Sequence, residues 1–281
     1  MLGAGVILFL AVLQGATELF PVSSLGHAVV VPPLLHLGFR QSDPAFVPVL
    51  AMLHVGTATA LLILYRRDWW RIVRGFISAV ARGAVRTPDE RLAVMLLVGT
   101  VPAGTVGFAL ESTLKSNFAD PHLAAALLIV NAAILLGAEW YRRRDERRQA
   151  HGEAQYQDVE HLGWRATVIV GACQVGALFP GISRAGVTMA AGLVAGLRHQ
   201  QAARFSFLLA TPIIMAAGLL EIPDLGPDRP TALVSLGAAA LSGLIAYASA
   251  RFLLRYLRSG RLDPFAYYCA ALGVAGLVMI R

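Results

Sequence analysis

Six stretches of this chain are apolar over enough residues to cross a hydrocarbon layer of roughly 30 Å: about 46–65, 92–110, 123–140, 205–222, 232–250 and 265–280. Runs of that length dictate an all-α integral membrane protein, because a backbone in lipid satisfies its N–H and C=O groups inside helices. The composition agrees, with 57% hydrophobic and 15% charged residues, where a soluble domain carries roughly a quarter charged. Two further apolar regions, 1–39 and 166–197, are each interrupted by polar residues and a proline, at Glu18 to Ser24 and at Pro180 to Arg184. In the second region, arms of about 14 and 12 residues reach only ~21 and ~18 Å at 1.5 Å per residue, too short to cross. Both regions read as re-entrant helical hairpins.

Charge placement supplies the orientation, since cytoplasmic loops retain Lys and Arg. Lys115 is the one lysine among 24 basic residues, and 19 of the 24 fall in 66–91, 140–165, at Arg198 and Arg204, or in 251–264. The opposite side keeps Arg40, Lys115, Arg229 and Arg281 among loops that are otherwise acidic (Asp43, Glu111, Asp120, Glu221, Asp224, Asp228). The net charge of +7 is therefore topological, and nucleic acid falls away as a partner. The aromatic pair Trp69-Trp70 beside Arg66, Arg67 and Arg71 reads as an interfacial anchor. Cys173 and Cys269 lie inside apolar segments and read as small buried hydrophobes. The first 39 residues hold no Lys or Arg, so the positive n-region of a cleavable signal peptide is missing and the N-terminal segment is expected to stay.

This topology makes 1–39 a hairpin entering from outside and 166–197 one entering from the cytoplasm, each followed by three spans. The chain reads as a single polytopic membrane domain: repeat unit one about 1–140, a cytoplasmic linker about 141–165, and repeat unit two about 166–281, in opposite orientations. Such an inverted-topology repeat, six transmembrane helices plus two re-entrant hairpins, brings the interrupted segments together near the midplane. Sliding the sequence by 160 residues aligns Gln14 with Gln174, Ser23 with Ser183 and Gly26 with Gly186, and both hairpins carry Leu-Phe-Pro (Leu19 to Pro21, Leu178 to Pro180).

Ionisable side chains at membrane depth cost about 2.5–3.5 kcal/mol each on insertion scales, so they are functional candidates by default. The first hairpin offers Gln14, Glu18, Ser23, Ser24 and His27; the second offers Ser183, Arg184 and Thr188. The Pro180 to Arg184 segment lies where one half-helix ends and the next begins, so backbone N–H groups and a positive dipole end are expected at its tip. Gly181 allows close backbone approach, and Arg184 brings a fork of donors matched to phosphate. Glu18, Ser24 and His27 on the other tip supply a carboxylate, a hydroxyl and an imidazole, the materials of a nucleophile, a general acid or base and a metal ligand. Blander roles compete: serines and glycines pack membrane helices, Glu18 and Arg184 make a structural ion pair, Gln174 satisfies backbone at the break, and His54 is a packed or hydrogen-bonded histidine.

These motifs resemble those of the BacA/UppP-type undecaprenyl-diphosphate phosphatases of bacterial membranes. The run from Gln14 through Glu18, Pro21-Val22-Ser23-Ser24 and Gly26-His27 is similar to the first family motif, and Pro180-Gly181-Ile182-Ser183-Arg184-Ala185-Gly186-Val187-Thr188 to the second. Resemblance continues through His54 to Thr57, Tyr65 to Asp68, Val101 to Gly104 and Phe205 to Ala210, essentially the whole chain. Ala185 stands where the family has serine, and Gln14 where many relatives have a second carboxylate. The resemblance implies hydrolysis of undecaprenyl diphosphate to the monophosphate and inorganic phosphate, recycling the lipid carrier of peptidoglycan synthesis and conferring bacitracin resistance. It implies Glu18, Ser24, His27, Ser183 and Arg184 as catalytic residues, with either Ser24 or His27 attacking phosphorus or activating a water. Gln14, Ser23, Gly181, Ile182, Ser183, Arg184 and Thr188 would bind substrate, and Glu18 would hold a divalent cation, Mg2+ or Ca2+. The place implied is the bacterial inner membrane, with the site opening to the periplasmic face and a polyprenyl diphosphate and the bilayer as partners; a homodimer is compatible. The rival from another class is a transporter or flippase for an anionic lipid or solute, since broken helices at the midplane are also transporter architecture.

Overall fold

The computed structural model describes residues 2–39, 43, 45–109, 120–150, 156–221 and 229–280. Arg40, Glu111, Lys115, Asp224, Asp228 and Arg281, on which part of the outward-facing assignment rests, lie outside the described residues. Within them every regular element is a helix and there is no strand, only an isolated bridge between Gln157 and Leu197. Its helices are α1 (Ala4–Thr17), α2 (Ser24–Leu34), α3 (Phe46–Leu64), α4 (Arg66–Arg82), α5 (Pro88–Ala109), α6 (Pro121–Ala150), α7 (Trp164–Cys173), α8 (Arg184–Val194), α9 (His199–Glu221), α10 (Arg229–Tyr256) and α11 (Asp263–Met279). Both expected interruptions are present: α1 and α2 part over residues 18–23, and α7 passes through a 3-10 turn at Gln174–Leu178 before α8 begins at Arg184.

Five helices among the described residues are long and apolar enough to cross a membrane, α3, α5, α6, α9 and α10. The sixth stretch read from the sequence, 265–280, falls in α11, whose 17 residues span about 26 Å at the helical rise, a little under the roughly 30 Å of the hydrocarbon layer. Helices also outrun the apolar windows, as α6 and α10 continue through arginine-rich turns. Arginine is a good helix former, so hydropathy marks the lipid-compatible part of a helix and not its end.

Residues 66–91 hold a helix where the sequence reading saw only a basic loop. In α4, Ile72, Gly75 and Ala79 are buried and the helix packs on α5. A second stripe, Trp70, Val73, Ile77 and Val80, is 48–67% exposed, and Arg67, Arg71 and Arg74 occupy the remaining arc. Spacings of three and four residues place these groups on three separate faces. An apolar face beside a basic one, with Trp at the boundary, is the pattern of a helix lying in a membrane interface.

The long helices pack in a consistent set of pairs: α11 along α6, α10 along α3 and α1, α9 along α3 and α8, and α5 along α7. Small residues permit the closest of these. A Cβ on Gly56 would run into the backbone oxygen of Ala239, and one on Gly243 would lie 2.6 Å from the oxygen of Gly56, so α3 and α10 touch backbone to backbone. At the arginine-rich end, Arg204 of α9 donates to Asp68 Oδ1 at 2.6 Å and to Glu160 Oε1 at 2.9 Å, tying α4 and the linker to α9. Burial pushes the Glu160 carboxyl up, but its own backbone N–H and the Arg204 guanidinium more than offset this and hold it below its usual range.

Candidate active site

Each interruption is built from the same local parts. Pro21 stops α1 from continuing, and Ser23, at φ +68°, turns the chain so that its Oγ accepts the Gly26 N–H at 3.1 Å and caps α2. In the second hairpin Gly181 takes the turn at φ +106°, and Ser183 Oγ accepts the Gly186 N–H at 3.0 Å to cap α8. The serines that coincide under a shift of 160 residues are therefore matching N-caps, and the coinciding glycines supply the N–H groups they accept. A non-glycine residue at positive φ costs about 1–3 kcal/mol and persists where its surroundings over-determine it. Ser23 is so placed, because its hydroxyl has a second partner across the interface.

That partner is the opposite hairpin. The Gly181 N–H donates to Ser23 Oγ at 3.2 Å, and Ser183 Oγ donates to the Phe20 carbonyl at 3.3 Å. Asn131 of α6 joins them: its Nδ2 donates to the Pro21 carbonyl at 3.0 Å and its Oδ1 accepts the Ser183 N–H at 3.0 Å. A Cβ on Gly26 would stand 2.9 Å from Gly181 Cα, so the tips are in van der Waals contact. Removing Asn131 leaves the buried Ser183 N–H unpaired, at about 1–3 kcal/mol, and leaves the Pro21 carbonyl only the weak Cys269 thiol at 3.9 Å. Asn131→Ala is therefore expected to lower the thermal unfolding midpoint of the detergent-solubilised protein clearly; an unchanged midpoint would show that Asn131 does not hold the tips together.

These contacts correct one expectation. Gly181, Ile182 and Ser183 were to offer free amides to a ligand, but the three N–H groups are taken by Ser23 Oγ, the Phe179 carbonyl and Asn131 Oδ1. The physical reason is that tips meeting inside the protein must satisfy each other's backbone. Their amides build the scaffold, and side chains face the chemistry.

Glu18 and Arg184 meet across the tips as a salt bridge, Arg184 Nη2 donating to Glu18 Oε1. The two carboxylate oxygens have different neighbours. Oε1 faces the guanidinium, while Oε2 accepts from Gln14 Nε2 at 2.7 Å and from the Ser24 hydroxyl, with His54 Nε2 at 3.4 Å. Glu18 is 6% exposed, so its charge is held by this ring of donors. The Arg184 Nε is buried and makes no hydrogen bond, an unsatisfied donor at the edge of the pair.

The other expected residues are placed elsewhere. His27 is buried on α2 with Nδ1 at 2.6 Å from the Ser23 carbonyl and Nε2 at 2.8 Å from the Tyr268 hydroxyl, stacked on that tyrosine ring and not among the partners of Glu18. Thr188 Oγ1 is shared between the Arg184 carbonyl at 2.7 Å and Ser206 Oγ at 2.6 Å, one turn below the tip. Gln174 Nε2 donates to the Gly99 carbonyl at 3.1 Å, serving backbone beside the break. His54, read as a packed or hydrogen-bonded histidine, is hydrogen-bonded through Nδ1 to the Leu50 carbonyl at 2.7 Å, yet its other nitrogen faces Glu18. Asn131 and His54 both carried a signal in the sequence: each is a polar side chain inside an apolar span.

Chemically, the cluster offers a cationic fork with a spare donor for an anionic oxygen, a carboxylate, and a hydroxyl bonded to that carboxylate. Among the described residues no three His, Cys, Asp or Glu side chains converge. A hard cation here would thus take Glu18 and complete its shell from water and substrate oxygens, the way Mg2+ is commonly held.

The model of the family described as bacitracin resistance protein BacA matches residues 7–275. The chain is similar to an undecaprenyl-diphosphatase of Mycobacterium avium (strain 104), 45% identical with 95% of this chain and 94% of the relative covered. It is similar to one of Acidiphilium cryptum, 44% identical over 96% and 95%, and to undecaprenyl-diphosphatase 2 of Chromobacterium violaceum, 43% identical over 96% of both.

Proposed function

Because this chain belongs to the BacA family of bacitracin resistance proteins, we propose that it hydrolyses undecaprenyl diphosphate to undecaprenyl phosphate and inorganic phosphate in the bacterial membrane. The observation that carries the reading is the Glu18 and Arg184 pair joining two interrupted helices, with a buried Arg184 donor left over. A buried unsatisfied donor costs about 1–3 kcal/mol, and a phosphate oxygen supplies its acceptor. When the diphosphate arrives, its oxygens draw the guanidinium fork from Glu18, which stabilises the charge of the phosphoryl group in transfer. Ser24, already hydrogen-bonded to Glu18, then stands as the hydroxyl that orients the attacking water or itself attacks the terminal phosphorus. The proton passes to the carboxylate, the anhydride P–O bond breaks to release undecaprenyl phosphate, and on the second route water then cleaves the serine–phosphate bond to free inorganic phosphate. His27, held between Ser23 and Tyr268, shapes the tip. A divalent cation, Mg2+ or Ca2+, on Glu18 would neutralise diphosphate charge.

Several features support the inverted repeat and the membrane placement. The α1 pairing with α10 has a counterpart in α7 with α5, and α3 with α9 and α6 with α11 each pair with their own equivalents. In this reading α11 crosses beside α6, and α4, which has no counterpart, lies on the cytoplasmic surface. The tips then sit near the midplane, opening outward, where a prenyl tail stays in lipid while its diphosphate reaches water.

The rival is a transporter of an anionic lipid, and Ser24 bonded to Glu18 beside an anion-binding fork is the feature binding alone does not require. Phosphate release in detergent separates the two, because no compartments remain to be crossed. The purified protein is expected to release inorganic phosphate from undecaprenyl diphosphate when supplied with Mg2+ or Ca2+. Folded, cation-supplied protein that releases none would shift the assignment to transport.

A further inference from the structure

Within this reading of the site, we infer that His54 is the second protein ligand of the divalent cation, so that α1 and α3 hold the ion together. Three observations carry it. First, the His54 ring is fixed by Nδ1 donating to the Leu50 carbonyl at 2.7 Å, and a metal-ligating histidine characteristically gives its other N–H to such an acceptor, which sets the tautomer and turns the remaining lone pair to the ion. Second, Nε2 faces Glu18 Oε2 at 3.4 Å. That is longer than the roughly 2.7–3.2 Å of an N–H···O hydrogen bond. Two ligands on one ion, at bond lengths of about 2.1 Å, stand about 3.0–3.4 Å apart. Third, the carboxylate divides its work, with Oε1 engaged by Arg184 and Oε2 facing Gln14, Ser24 and His54. A cation between Oε2 and Nε2 takes the place of one of the two hydrogen bonds that Oε2 accepts and meets no guanidinium, and the substrate keeps Arg184 to itself.

An imidazole in the shell changes which ion is preferred. Oxygen-only sites suit Mg2+ and Ca2+, whereas nitrogen raises the affinity for Mn2+ and later first-row ions relative to Ca2+. The structure thus assigns to this chain a mixed nitrogen and oxygen half-site, to be completed by phosphate oxygens and water.

The test is electron spin echo envelope modulation of Mn2+ bound to the purified full chain in detergent with inorganic phosphate. Wild type is expected to give the 14N modulation of a directly bound imidazole. His54→Gln is expected to lose that modulation and to bind Mn2+ at least about tenfold more weakly, with a smaller change for Ca2+. Modulation that survives His54→Gln, or wild-type protein that binds Mn2+ without it or binds none, overturns the assignment. Should that variant fail to fold, His54→Asn is read in its place with the same loss expected, and His27→Gln, expected to keep the modulation, shows that the nitrogen is not that of His27. Phosphate release from undecaprenyl diphosphate, measured on the same wild-type preparation, separates the two ideas. Release without nitrogen coupling removes only the His54 ligand, while coupling without release sustains the ligand and removes the phosphatase reading.

Discussion

Arg184→Ala is expected to reduce phosphate release from undecaprenyl diphosphate by at least about 1,000-fold, the scale at which loss of one preorganised charge-stabilising donor acts. The substitution takes away Nη2, which bonds Glu18, and Nε, the buried donor without a partner. It also leaves Glu18 buried beside an empty space, and breaking a buried pair from one side costs about 3–5 kcal/mol. A fall in activity alone would therefore confound chemistry with folding. Arg184→Lys resolves this by keeping the charge beside Glu18 while losing the planar fork. Its unfolding midpoint should stay near that of wild type, and its turnover should still fall by about 100-fold. Near-normal release from Arg184→Ala, measured with purified protein in detergent, would remove the anion site from the account.

Glu18→Gln carries the second large effect. The amide is isosteric but keeps one acceptor: with its oxygen toward Arg184 the tips stay in contact, while its NH2 takes the place of Oε2 beside Gln14 and Ser24. What is lost is the negative charge, and with it, in the proposed mechanism, both a proton acceptor for Ser24 and a ligand for the cation. General-base groups contribute about 100- to 10,000-fold, and a drop in kcat in that range is expected. The variant should also lose the dependence of phosphate release on added Mg2+ or Ca2+. A Glu18→Gln enzyme that still responds to the cation as wild type does would show that the metal is held elsewhere.

The parts legible in the sequence are those set by local chemistry. Glu18 to Ser24 and Pro180 to Arg184 put polar groups and prolines into apolar runs, and helices break at both places. The match of Ser23 with Ser183 and Gly26 with Gly186 was legible as a repeat, and its cause is that both serines cap the helix that follows. The partners of Glu18 were harder to read, because they depend on how helices distant in the chain pack. His54 reaches Glu18 only because α3 lies against α1, and Asn131 meets both tips only because α6 passes them. The α4 helix was missed for another reason. A hydropathy window averages its arginines with its apolar stripe, while the spacing of Trp70, Val73, Ile77 and Val80 holds the helical period. His27 illustrates the reverse, since its neighbours in sequence suggested Glu18 and its place on α2 gives it Tyr268.

The claim that the two tips form one reacting unit is tested most directly by a double-mutant cycle. The quantity is kcat/KM for undecaprenyl diphosphate in wild type, Glu18→Gln, Arg184→Lys and the double variant. Residues that act as a unit are strongly non-additive. The double variant should be scarcely worse than the poorer single one, with a coupling energy of about 2 kcal/mol or more. Losses that simply multiply, leaving a coupling within about 0.5 kcal/mol of zero, would mean that Glu18 and Arg184 act independently and that the meeting of the tips is structural.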